Sequence, residues 1–286
     1  HAVFQDPVQY RDLAFIVVDE QHRFGVQQRL SLAAKGNQAD VLVMTATPIP
    51  RSLVLTAFGD MDYSKIDQVP QGRKPVDTRV VPLDKLSEVA TAVKRKLESG
   101  ARAYWVCPLV EESEKSDLAA AEERFASLQK IFGDKAGLVH GKMKEKDKDA
   151  VMEKFKRGDI SLLVATTVIE VGVNVPEATV MVIEHAERFG LAQLHQLRGR
   201  IKRGLKSSTC ILMYSLPLST AGRERLNIMR ETEDGFVIAE KDLDLRGGGE
   251  ILGTRQSGFS AFRLADMARD KDLLMTANQD AKLILE

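Results

Sequence analysis

The sequence predicts an α/β protein built from two parallel sheets with helices on both faces, followed by a small helical C-terminal region. Three observations carry that expectation. Short apolar runs with no polar face, such as Ala14 to Val18, recur along the chain, as strands buried on both sides of a parallel sheet do. From about residue 78 to residue 215 these runs alternate with stretches of helical period, which is the pattern of strand-helix crossovers. After Pro217 the pattern is helical.

The first segment, about residues 1 to 69, gives a strand at Phe15 to Val18, a helix at about Val26 to Ala34 and a strand at Asp40 to Thr45. Pro70, Gly72 and Pro75 bracket the polar stretch PQGRKP, a linker by composition. A helix is expected from Lys85 to Ser99, because Leu86, Val89, Val93 and Leu97 recur at steps of 3 and 4 residues and Gly100 follows as a stop. Strands are then expected at Ala101 to Cys107, Gly137 to His140, Ser161 to Thr166, Thr179 to Glu184 and Thr209 to Tyr214. Helices fall between them, around Leu118 to Phe132, Lys146 to Lys156 and Ala192 to Lys202. The C-terminal region adds helices at Thr220 to Glu231, at Val237 to Leu243 and from about Ala261. The domain boundaries that follow are 1–74, 75–216 and 217–286.

Composition narrows the class. Hydrophobic content of 44% and charged content of 29% are those of an ordinary soluble chain. No apolar run approaches the roughly 20 residues of a membrane helix, so no membrane partner is expected and the cytoplasm is the default. Lys plus Arg (41) equals Asp plus Glu (41), so any nucleic-acid site has to be a local patch. Cys107 and Cys210 sit within apolar runs and are expected to be buried, reduced thiols. The chain opens on His1 and reads as a piece beginning in mid-sequence.

Four stretches carry the chemistry. The run ending at Val18 delivers Asp19 and Glu20 to the carboxyl end of a strand, where ligands of open α/β sheets sit. An Asp there suits Mg²⁺, directly or through water, and an adjacent Glu suits orientation and deprotonation of an attacking water. An Asp-Glu pair by itself also occurs in surface turns. Thr45 and Thr47, after the strand VLVM, place hydroxyls where they could sense a phosphate or bond the two acids. Thr166 and Thr167 follow the strand LLVA, and hydroxyls and amides at such a strand-to-helix turn suit phosphate contact. In QLHQLRGRIKRG, Gln196, Arg200 and Arg203 fall at i, i+4 and i+7 on one helix face. Paired Arg on one stripe suit the charge that develops on a transferring γ-phosphate. Arg188 to Lys206 also holds six basic residues and no acid, so the competing reading is a basic face that binds nucleic-acid backbone or nothing.

Taken together, the order and spacing of these stretches resemble the RecG family of superfamily 2 DNA translocases. DEQHRFGV (Asp19 to Val26) is similar to its motif II, TATPIPRSL (Thr45 to Leu53) to motif III, ATTVIEVGVNVP (Ala165 to Pro176) to motif V and QLHQLRGRIKRG to motif VI. DLRGGGEILGTRQSG (Asp244 to Gly258) resembles the translocation motif shared with the transcription-repair coupling translocase Mfd. The resemblance implies two RecA-like sheets, the first partial and the second complete. It implies ATP and Mg²⁺, with Asp19 as metal partner, Glu20 as base, and His22 and Thr45 as couplers of hydrolysis to motion. It implies Gln196 as a nucleotide contact, Arg200 and Arg203 as arginine fingers, and Thr166 and Thr167 as contacts to DNA or nucleotide. Arg246, Arg255 and Gln256 would belong to the elements that turn domain closure into movement on DNA.

The expected partner is branched or double-stranded DNA, in a bacterial cytoplasm and at the nucleoid, for a full-length protein that is monomeric. Two departures stand out: Asn174 where the family has Asp, and Lys202 where it has Gly. No P-loop is present, since Gly141-Lys142-Met143 has Ala136 where the first glycine belongs. The chain alone is therefore expected to hydrolyse no ATP, and its partial first sheet to expose apolar surface through which it could self-associate. Two other readings stay open: an Mfd-like translocase acting on stalled RNA polymerase, and a non-catalytic nucleic-acid-binding protein with a decayed nucleotide site.

Overall fold

A computed structural model describes residues 5, 7–20, 31–32, 34–36, 39–45, 64–68, 72–108, 114–166, 175–202, 206–246 and 271–285. Contacts divide the chain into two compact units, His1–Pro48 and Ile49–Glu286.

In the first unit β1 (Phe15–Val18) pairs in parallel with β2 (Asp40–Val43), Val18 opposite Val43. Ile16 and Val18 are buried, whereas Phe15 and Val17 are 57% and 51% exposed. The strand is apolar on both faces, but only one of them is covered. Leu42 and Met44 are exposed as well, so the expected apolar surface is present on this sheet.

In the second unit six strands form one parallel sheet in the order β3-β8-β7-β4-β6-β5. These are β3 (Val76–Pro82), β4 (Arg102–Val106), β5 (Ala136–Val139), β6 (Leu162–Ala165), β7 (Ala178–Ile183) and β8 (Ser208–Tyr214). The interior strands β6 and β7 are buried at every position, Thr179 of β7 included, as their otherwise apolar sequences require. β3 takes an edge, where Pro82 at its end costs no interior ladder bond.

Two cores follow from the period of two. Ala103, Trp105, Cys107, Leu162, Val164, Val180 and Val182 face one side. There they meet Val89, Ala90 and Val93 of α1 (Leu86–Glu98) and Ala121, Leu128 and Phe132 of α2 (Glu114–Phe132). Tyr104, Val106, Leu163, Ala165, Met181 and Ile183 face the other. They pack against Phe155 of α3 (Glu145–Arg157), the leucines of α4 (Leu191–Gly199), and residues of α5 (Thr220–Glu231) and α6 (Gly235–Arg246). The sheet thus carries helices on both faces. Leu226, Ile228, Met229 and Ile238 belong to this same core, so α5 and α6 extend one helical layer of the second unit. A further helix, α7 (Lys271–Leu285), ends the chain.

Candidate functional site

The first unit gathers three of the predicted residues at one sheet edge. Asp19 and Glu20 follow β1, Thr45 follows β2, and the Met44 amide donates to Val18 O at 2.8 Å, so the two strand ends lie side by side. Asp19 is exposed and its Oδ1 accepts the Glu20 amide at 2.8 Å. Glu20 bends the chain with φ of 51°, a left-handed conformation uncommon for a residue with a side chain. Its Oε2 is shielded from solvent. His22 and Thr47 lie outside the described residues.

In the second unit the carboxyl ends of four strands are laced together. Glu184 N donates to Val106 O at 3.0 Å, Cys107 N to Ala165 O at 2.8 Å and Thr166 N to Val139 O at 3.4 Å. Thr166 and Glu184 are buried there. Sequence reasoning missed Glu184, which accepts from Trp105 Nε1 at 2.6 Å and from Arg124 Nε. The one available signal was an acid directly after the apolar run VMVI; its pairing with Trp105, 79 residues away, had none. The Cys107 thiol pKa is driven up by burial, then by the Glu184 carboxylate, with Arg124 opposing. Thr167 and Asn174 lie outside the described residues.

The helix α4 starts directly after its capping residue Gly190 and buries Leu191, Leu194, Leu197 and also Arg198. Gln196 and Arg200 are partly exposed. Arg203 lies outside the described residues, as do Arg255, Gln256 and the side chain of Arg246. Arg198 was not singled out from sequence, yet its Nη1 donates to Met229 O at 2.6 Å and its Nη2 meets His195 Nδ1 at 3.2 Å. Burial, then Arg198 and Lys202, pushes the His195 pKa down to about 4. Its imidazole is therefore neutral near pH 7 and accepts at Nδ1 from the guanidinium. Lys202 is held by an ion pair: its Nζ meets Glu233 Oε2, with both side chains about a quarter exposed.

Residues 84–204 match the helicase conserved C-terminal domain, and residues 232–286 match the ATP-dependent DNA helicase RecG, domain 3, C-terminal. The RecG helicase of Pasteurella multocida is 50% identical across 100% of this chain and 42% of its own length. That of Bacillus subtilis is 52% identical across 98% of this chain and 41% of its own. Along its whole length the chain is similar to RecG helicases. It spans about 42% of the length of the Pasteurella relative.

A solved RecG bound to a three-way DNA junction covers 96% of this chain and is itself covered to 35%, with 43% identity and a TM-score of 0.72. Yeast Dbp5 bound to RNA, at 13% identity and a TM-score of 0.52, shares the fold alone. The two RecA-like sheets implied by the sequence agree with both neighbours. Among the described residues no helix is long and apolar enough to cross a membrane. None of them forms a group of three or more His, Cys, Asp or Glu suited to a metal.

Proposed function

We propose that this chain is the second half of the motor of an ATP-dependent DNA translocase that remodels branched DNA such as forks and Holliday junctions. The observation that carries the reading is identity of 50% over the entire chain with RecG helicases, supported by the likeness to RecG on a three-way junction. The working environment would be the bacterial cytoplasm, at the nucleoid. The protein would act as a monomer, and the chain by itself would self-associate through the open face of its first sheet.

In this reading Asp19 and Glu20 serve Mg²⁺-ATP. Asp19 is exposed at a strand's carboxyl end with Oδ1 engaged by the Glu20 amide, which leaves Oδ2 for the metal or its water. Mg²⁺ would neutralise charge on the β- and γ-phosphates. Glu20 orients and deprotonates the attacking water. Thr45, Thr47 and His22 relay phosphate occupancy, and Gln196 contacts the nucleotide. Arg200 and Arg203 neutralise charge on the transferring phosphoryl group. Thr166 and Thr167 hold DNA backbone or nucleotide, while Arg246, Arg255 and Gln256 convert closure into movement. The phosphate cradle is supplied by residues outside this sequence, so the chain alone turns over no ATP.

The test uses the chain alone and the same chain joined to the polypeptide that precedes it, each with forked DNA. The joined protein should show DNA-stimulated ATPase that falls at least about 100-fold in Glu20→Gln and in Arg200→Ala. Turnover by the chain alone, abolished by Glu20→Gln, would overturn the claim of inactivity. A joined protein with an intact phosphate loop and no response to DNA would favour the non-catalytic reading.

A further inference from the structure

We infer that Lys202 and Glu233 are positioning residues: they form a clip that pins the turn carrying Arg200 to the first residue of β3 and to the α5–α6 connection. The inference rests on the role proposed above for Arg200, but the clip itself stands on contacts of other residues.

Glu233 divides its two carboxylate oxygens between two distant parts of the chain. Oε2 accepts from Lys202 Nζ and Oε1 accepts from the Val76 amide, both at 2.5 Å. Lys202 and Glu233 are 24% and 23% exposed at their side chains, so water screens the pair only in part. Val76 is buried and opens the edge strand β3. The chain entering β3 touches the same connection a second time, where Lys65 Nζ lies 3.9 Å from the ring centre of Phe236. One glutamate therefore joins the entry to the second sheet, the start of α6 and the end of α4.

Helical geometry gives the clip its consequence. Past Gly199 the chain keeps turning, with Arg200 N donating to Leu197 O, Ile201 N to Arg198 O and Lys202 N to Gly199 O. These bonds join residues three apart, a tightened turn of 3₁₀ type, and within it Arg200 lies between Arg198 and Lys202, whose side chains are both held. Arg198 is anchored inward on Met229 O at 2.6 Å, with Thr78 Oγ1 at 3.5 Å. Lys202 is anchored inward on Glu233. Holding the chain both before and after Arg200 fixes the backbone that presents it. A glycine at position 202, as the family pattern has it, supplies one anchor fewer; this chain adds the second through a side chain. His195 lies on the same inward stripe, and the charged groups that bear on it are Arg198, Lys202, Glu233 and Asp234.

Two measurements on Lys202→Met, Lys202→Arg and Glu233→Ala test the inference. In this chain, hydrogen exchange of peptides covering 198–202 and of the Val76 amide should speed up about tenfold in Lys202→Met and Glu233→Ala. Lys202→Arg, which keeps the ion pair, should stay near the parent. Unchanged exchange in both disrupting variants, with the fold intact by circular dichroism, overturns the clip. In the joined protein, Lys202→Met should lower kcat for DNA-stimulated ATP hydrolysis three- to tenfold with KM for ATP and melting temperature unchanged, and Lys202→Arg should restore it. Faster exchange with an unaltered kcat would overturn the positioning role while leaving the function reading intact. Absence of any ATPase in the parent joined protein would instead count against the function reading, and the exchange result would still decide the clip.

Discussion

The indole Nε1 of Trp105 donates to Glu184 Oε1 at 2.6 Å inside the central pair of strands. Arg124 of α2 closes the network with its Nε 2.8 Å from the same carboxylate, whose side chain is only 4% exposed. A carboxylate held this way needs both partners, because an unpaired buried charge is costly. Arg124→Ala should therefore destabilise the chain by about 2–4 kcal/mol. Glu184→Gln, which keeps an acceptor for the indole, should cost about 1–2 kcal/mol. Urea denaturation gives both values, and the reverse order would mean that Arg124 contributes little.

Acid sensitivity should centre on His195. Its folded-state pKa lies near 4, below the ordinary 6.5. Between those values the unfolded chain binds a proton that the folded chain refuses, so stability falls as pH drops from about 6.5 and levels off below about 4. The loss amounts to at most about 3 kcal/mol at 1.36 kcal/mol per pH unit. His195→Gln should flatten this limb relative to the parent in denaturation series at stepped pH. An identical slope in both proteins would assign the limb to other groups.

Neither cysteine should react in the folded chain. Cys107 and Cys210 are both free and buried. Burial pushes the Cys210 thiol up to about 12, with the nearby Arg198 guanidinium pulling the other way. The thiolate is the reactive form. A disulfide reagent at pH 8 should label both thiols only in denaturant, at the rate of unfolding. Rapid stoichiometric labelling in buffer would contradict this burial.

Two glycines should behave differently when given a methyl group. At Gly137 a Cβ would meet Ile160 Cδ1 at 2.4 Å and Val151 Cγ1 at 3.1 Å. Gly137→Ala should therefore cost about 1–3 kcal/mol through overpacking. Gly100 has open space around it but a φ of +85°, so Gly100→Ala should cost only the left-handed strain, about 1–2 kcal/mol. Repacking Ile160 to Val should rescue part of the loss at Gly137 and none at Gly100, as melting curves would reveal.

The open face of the first sheet should drive association. Phe15, Val17, Leu42 and Met44 are exposed on two paired strands, and apolar sheet surface of this kind promotes self-contact. Sedimentation velocity should show mass rising with concentration, and Val17→Lys should suppress that rise. A monomer at all concentrations would remove the expectation.

By itself the sequence determined the order and type of nearly all the elements described. It did so because short apolar runs between turn signals suit a parallel sheet and 3–4 residue spacing suits a helix, although in Phe15–Val18 only one face is covered. The strand Val76–Pro82 was less legible: it begins directly after the PQGRKP linker, and its half-buried edge position gives no continuous apolar run. The pieces of the candidate site were legible too, since Asp19, Glu20, Thr45, Thr166 and Arg200 sit at element ends, where local pattern alone places them. What only the tertiary structure decided were pairings over long separations. Trp105 finds Glu184 79 residues away, and Val76 finds Glu233 157 residues away. Such contacts depend on strand order and helix packing, which no local period encodes. Lys202 shows the difference best: its sequence position marks it only as a departure from a family pattern, and the fold turns it into half of an ion pair behind Arg200.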